Sequence, residues 1–599
     1  MRAMASDAGR PERLSGLPAA PGVAVAPAWR YVDGTARPLG PSAKRFDDPR
    51  VALEEAGRTA ARQLDVLAER LREAGLGDEA EILGAQAMMA TDPTLMEAAI
   101  DRTQGGEDPR AAIAAAAESI AATIAAVDDP LLAARAADVR DVGARIARIL
   151  SGSTLDLPTV PSIAVATDLS PSVTAEMPKG RLVGIVLEGG SPTAHAAILA
   201  RGLGIPAVVG VAGLIGAIEQ ELAAADTPVE VALDGDRGEV FLRPDAGVRV
   251  ELAARATATA IRRDRAAHLR GRPGATADGE PIALLANIGT TDDVDRALAS
   301  GAEGVGLFRT EFLFMGRRAA PSEEVQVEAY RTVFEAFGSE RSVVVRLADI
   351  GGDKAIPYLD LPTEANPFLG VRAIRIAHRS PALLLTQLRA ISRAGALAGV
   401  EPHVMAPMVA TREDVALFLS LRDEAQARLA TESLPHAARL VCGIMIEVPS
   451  AVLLARELAR EVEFFSIGTN DLTQYLFAAD RTNAALARYH DALHPAVLRA
   501  IAEIVTAGHA SAIPVAVCGE LAGDPAGALV LVGLGVDELS ADAGSLDDVR
   551  FALAGATRSE LDELARAGLA AGDAATVRRL AGEVRERTLA RVGVIELNR

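Results

Sequence analysis

The chain has 599 residues, 50% of them hydrophobic, and a formal net charge of -20 at pH 7. That length exceeds one core and predicts three or four domains, and no apolar run reaches the roughly eighteen residues a membrane span needs. Strong acidity with 3% aromatic residues argues against unaided nucleic-acid binding, which rewards basic faces and stacking rings.

The opening stretch MRAMASDAGRPERLSGLPAA lacks the continuous apolar segment of a signal peptide and reads as a polar, frayed start. The segment 1–46 is expected to join a later α/β domain through a strand near Gly22–Pro27. From 47 to 150 the pattern is almost wholly helical, with Leu53, Leu64, Leu67 and Leu71 at helical spacing and further helices over 78–90, 93–104, 110–127 and 130–150. This predicts a helical bundle without an obvious catalytic group.

The pattern changes at SGSTLDLPTVPSIAVATDLS. Short runs (SIAVAT, LVGIVLE, AAILARGL, PAVVG, VEVALDG and EVFLR) alternate with helices, predicting a compact swivel-type α/β domain over 151–243. A connecting helix is expected within 244–280, broken by GRPGATADGEP. The remainder, 281–599, holds eight buried-strand candidates separated by helical stretches: IALLANIG, GVGLFRTE, SVVVRLAD, HVMAPMV, CGIMIEV, FFSIGTND, VAVCGE and ELSADA. Eight β-then-α units predict a C-terminal (β/α)8 TIM barrel, with its active site at the C-terminal ends of the strands.

Arg309, Arg346, Glu447, Asn470, Asp471 and Cys518 stand at those predicted ends. Arg309 and Arg346, with Arg481 just beyond, suit clamping of carboxylate or phosphate, because the guanidinium fork matches both; each would also serve as a structural ion pair on a barrel rim. Glu447 and Asp471 are hard oxygen donors suited to Mg²⁺, or else a carboxylate pair bonded to loop amides. Cys518 is either a small buried hydrophobe or a thiol able to protonate an enolate carbon. Cys442 starts its strand at the opposite end and reads as structural. Two cysteines make no disulfide framework and suit a reducing cytoplasm. His195 follows a Gly-Gly turn and opens a predicted helix whose amides would favour an arriving phosphoryl group; the alternative is a packed or solvated histidine.

Together GGSPTAHAAILAR, GLFRTEFLFMGR, IGGDK, NPFLGVRAIR, IEVPSAV, FFSIGTNDLTQY and VAVCGELAGD resemble the enzyme I family of the bacterial phosphoenolpyruvate:sugar phosphotransferase system, and DPLLAARAADVRDVG resembles the end of its helical partner-binding domain. The resemblance covers essentially the whole chain. It implies that His195 accepts a phosphoryl group on Nε2, with Thr174 in DLSPSVTA supporting the ring. It implies that Arg309, Arg346, Asn470, Asp471 and Arg481 bind phosphoenolpyruvate, with Arg372 supporting. Glu447 and Asp471 would hold Mg²⁺, and Cys518 would protonate the enolate to give pyruvate. The acceptor would be the histidine phosphocarrier protein HPr, docking on 47–150, and the barrel would form a homodimer in the cytoplasm.

Departures from the family pattern fall at Leu347-Ala348, where a hydroxyl residue usually comes first, at Val371, where an aromatic is common, and at Ala194 and Ala196, where hydroxyl residues are frequent. A pyruvate,phosphate dikinase or phosphoenolpyruvate synthase would also need a nucleotide-binding domain, and no Gly-rich nucleotide loop occurs in the first 150 residues. A non-catalytic regulator that senses phosphoenolpyruvate is the alternative from another class.

Overall fold

The computed structural model describes residues 12–31, 46–73, 77–126, 130–153, 155, 157–177, 180–190, 195–315, 317–352, 354, 356, 358, 359, 361, 364–481 and 483–595, except 225–227. The chain forms two compact units, 1–261 and 262–599.

In the first unit, long helices Pro49–Glu73, Gly77–Met89, Pro93–Gln104, Pro109–Ala125 and Pro130–Ser151 bury one apolar face each around Leu53, Leu64, Leu83, Ile113 and Ile146. Asp92 and Asp108 cap the third and fourth, each ahead of a proline at the first helical position, where a missing N–H costs nothing. The α/β part is an eight-stranded mixed sheet. Its order is Glu12–Ser15, Glu239–Leu242, Glu230–Asp234, Val23–Arg30, Ser162–Ala166, Leu182–Leu187, Ala207–Val209 and Leu17–Ala20.

Two readings of this unit are corrected. The stretch taken for a frayed start contributes both edge strands, Glu12–Ser15 pairing with Glu239–Leu242 and Leu17–Ala20 with Ala207–Val209. The run AAILARGL is helix, His195–Leu203, and buries Ala196, Leu199 and Ala200 on one side at helical spacing.

The second unit is a closed parallel barrel of Ala283–Ile288, Val305–Arg309, Val343–Arg346, His403–Ala406, Val441–Ile446, Phe464–Ile467, Val515–Val517 and Glu538–Asp542. All eight predicted strands are present. Outward residues such as Val345, Val404 and Ile444 pack under the helices, whereas Leu307, Val344, Met405, Met445 and Phe464 form a separate inner cluster. Burial on both faces explains why these strands read as unbroken apolar runs. No described helix is long and apolar enough to cross a membrane.

Candidate active site at the barrel mouth

Parallel closure places every strand's C-terminal end on one face, so residues immediately after the strands converge. Arg309 and Arg346 end adjacent strands in direct register. Arg346 is buried, and its Nη2 donates to Glu311 Oε1 at 2.6 Å. Burial works against its charge, but Glu311, Asp349 and Glu447 outweigh that and raise its pKa. Its Nε is buried without a hydrogen-bond partner among the described residues, and Nη1 has only a 3.9 Å contact to Met445 Sδ. Arg309 makes no ion pair among the described residues.

Asp349 organises the next loop. It grips Arg372 with both oxygens, at 2.9 Å from Nε and 2.6 Å from Nη2, and accepts from Lys354 Nζ at 3.3 Å. Burial would raise its pKa, yet Arg346, Lys354 and Arg372 hold it well below the usual carboxylate range. Arg372 is thus a fully buried support.

Across the mouth, Glu447 follows the strand Val441–Ile446, and its Oε1 accepts from the Met408 backbone N–H at 2.7 Å. Burial, then Asp471 and Asp349, push its pKa up to about 8. Asp471 lies in the first turn of the helix Thr469–Phe477 and pairs with Arg481 Nη1 at 3.2 Å through Oδ2, while its Oδ1 is buried without a partner among the described residues. Asp471 leaves an oxygen unmet among the described residues, and the two carboxylates oppose each other's charge, which is the electrostatic setting that a hard dication relieves. Asn470 exchanges two hydrogen bonds with Glu520, at 3.0 and 3.1 Å.

Cys518 directly follows Val515–Val517 and joins the inner barrel cluster. Burial raises its thiol pKa, so it carries its proton at neutral pH. Gly519 follows because no side chain fits: a Cβ there would meet Thr469 Oγ1 at 1.9 Å. Cys442, buried at the start of its strand, lies at the other end of the barrel, as expected of a structural residue.

On the first unit, Thr174 is buried on the helix Pro171–Glu176 and donates to the Ser170 carbonyl at 3.1 Å. That helix is fastened to Pro130–Ser151 by Ser172 Oγ donating to Asp141 at 2.9 Å and by the Arg145–Glu176 ion pair at 2.5 Å. His195 begins the helix His195–Leu203. Its side chain, and Ala194 before it, lie outside the described residues.

Residues 263–558 match the PEP-binding domain of PEP-utilising enzymes, 158–238 their mobile domain, and 15–135 their N-terminal domain. A phosphoenolpyruvate-protein phosphotransferase of Streptomyces coelicolor is 42% identical over 585 residues, spanning 95% of this chain and 99% of that protein. The chain belongs to the phosphoenolpyruvate-protein phosphotransferase family. A phosphotransferase of Staphylococcus carnosus is 37% identical over 557 residues, 92% of this chain and 96% of that one. A multiphosphoryl transfer protein of Xanthomonas campestris is 40% identical over 579 residues, and the match spans 66% of that longer protein.

Several groups at the phosphotransferase mouth escaped the sequence reading. Glu311 and Asp349 bind the arginines, Lys354 pairs with Asp349, and Gln387 braces the segment behind Arg346. Gln387 Oε1 accepts from Ala348 N–H at 3.0 Å, and its Nε2 donates to Thr310 Oγ1 at 2.9 Å, whose hydroxyl donates to the Arg346 carbonyl at 2.8 Å. Glu311, Asp349 and Lys354 lie within stretches singled out for other residues, whereas Gln387 carried no sequence signal. The departure Leu347 is buried, as is Ala348 after it, and Val371 packs on the cluster around Phe314 and Ile350.

Proposed function

We propose that the chain moves the phosphoryl group of phosphoenolpyruvate to Nε2 of His195, releasing pyruvate, and then to a histidine of HPr. The observation that carries this reading is the convergence of Arg309, Arg346 and Arg481 with Glu447, Asp471 and Cys518 at one barrel mouth. Arginine forks with open donors orient a molecule carrying both phosphate and carboxylate, and catalysis comes chiefly from positioning and electrostatics. Mg²⁺ held by Glu447 and Asp471 would neutralise charge on the phosphate and the forming enolate. The His195 imidazole attacks phosphorus, the bridging P–O bond breaks, and its electrons leave as enolate. Cys518, kept protonated by burial, then delivers a proton to the enolate carbon.

Because His195 belongs to the first unit and the arginines to the second, the transfer involves movement of one unit against the other. HPr docks on the helical domain, 47–150, and the barrel, 281–599, pairs with a second copy; the reaction belongs in the cytoplasm.

Incubation with radiolabelled phosphoenolpyruvate and Mg²⁺ tests the reading. Acid-labile, alkali-stable label with stoichiometric pyruvate is expected, absent in His195→Ala and discharged by HPr. Neither label nor pyruvate from folded protein would instead favour a phosphoenolpyruvate-sensing regulator. A cross-link locking the two units should allow at most one of the two transfers; undiminished turnover in the locked protein would eliminate the moving-domain step.

A further inference from the structure

We propose that Glu311 is a positioning residue for phosphoryl transfer, anchoring Arg346 and limiting the positive charge this arginine presents to the substrate. The inference rests on the reading that Arg346 binds phosphoenolpyruvate. Glu311 opens the short turn Glu311–Leu313 just past the strand Val305–Arg309 and is 3% exposed. One of its oxygens, Oε1, accepts both from Arg346 Nη2 at 2.6 Å and from the Asp349 backbone N–H at 2.8 Å. A single atom therefore ties one strand end to its neighbour's side chain and to that neighbour's loop.

The bond to Arg346 uses one nitrogen of the guanidinium. Nε has no partner among the described residues, and Nη1 meets only sulfur at 3.9 Å. A carboxylate placed purely to neutralise arginine would take the bidentate geometry seen between Asp349 and Arg372. Glu311 instead holds the fork by one corner and leaves the remaining donors for another acceptor. Asp349 cannot substitute for it, since its nearer oxygen is 4.0 Å from Arg346 Nη2 and is already committed to Arg372 and Lys354. Stability alone gives little reason to keep such a pair, because the cost of desolvating two buried charges largely cancels their attraction.

The two roles separate by mutation. Glu311→Gln keeps an oxygen of the same reach but removes the charge, so Arg346 attracts the anionic substrate more strongly. Glu311→Asp keeps the charge but falls a methylene short, so Arg346 loses its anchor. Single-turnover phosphorylation of the full chain, measured against phosphoenolpyruvate concentration with Mg²⁺, gives the half-saturating concentration and the maximal rate. For Glu311→Gln the half-saturating concentration should fall about threefold or more, and the maximal rate should fall too, since tighter ground-state binding is not repaid in the transition state. For Glu311→Asp the half-saturating concentration should rise. A merely structural residue would lower the active fraction and the melting temperature without driving the two variants in opposite directions. Equal half-saturation in wild type and a folded Glu311→Gln overturns the proposal; if that variant does not fold, unchanged half-saturation in Glu311→Asp does so. Arg346→Met is the control, because wild-type half-saturation there would remove the substrate reading itself rather than the role of Glu311.

Discussion

Glu447 meets opposing demands at one carboxyl. Burial, Asp471 and Asp349 raise its pKa from 4.5 to about 8, although Arg346 and the Met408 amide favour its charged form. Below the unfolded value both states hold the proton; between 4.5 and about 8 the unfolded chain has released it and the folded protein still keeps it. Folding stability of the metal-free protein should therefore decline as pH rises through that window. Glu447→Gln should flatten the decline, as read from urea midpoints at a series of pH values. A metal bound through this oxygen must displace the proton, so Mg²⁺ uptake at pH 7 should release about one proton per ion. Calorimetry in buffers of different ionisation enthalpy measures that number, and a value near zero would remove Glu447 from the ligand set.

At the scale of elements, the mouth depends on backbones packed too closely for side chains. The turn carrying Cys518 passes the helix Thr469–Phe477 at Gly519, where a methyl group would lie 1.9 Å from Thr469 Oγ1 and 2.8 Å from its backbone nitrogen. Gly519→Ala must push this turn away from the helix that bears Asn470 and Asp471. We expect a loss of about 1–3 kcal/mol in stability and a larger fall in pyruvate formation than in phosphoenolpyruvate affinity. Full activity in a stable Gly519→Ala protein would show that the spacing of these two elements does not set Cys518.

This element was legible in advance because barrel strands are apolar on both faces and end abruptly in polar residues, so Arg309, Arg346, Glu447 and Cys518 announced themselves. Glu311 did not: it is 35 residues from Arg346 in sequence, and only the parallel pairing of their two strands brings them together. The edge strands Glu12–Ser15 and Leu17–Ala20 were hidden for the same reason, their pairing partners lying near the far end of the first unit. The helix His195–Leu203 was misgrouped because a short apolar run has no clear period until its buried side is known.

At the scale of the molecule, 1–261 and 262–599 each enclose their own cores: helical and sheet-based in the first, the barrel in the second. Separate cores favour separate unfolding, so scanning calorimetry should resolve two transitions. On the proposed function, phosphoenolpyruvate with Mg²⁺ should bind only the folded barrel and raise one of them, by about 2.7 kcal/mol at a hundredfold excess over Kd. His195→Ala should leave that shift intact, since the histidine is on the other unit, whereas Arg346→Met should abolish it. If instead both transitions moved together on adding ligand, the site would draw on both units even at rest. The histidine would then be already engaged at the mouth, and release of the first unit towards HPr would become the step that limits turnover.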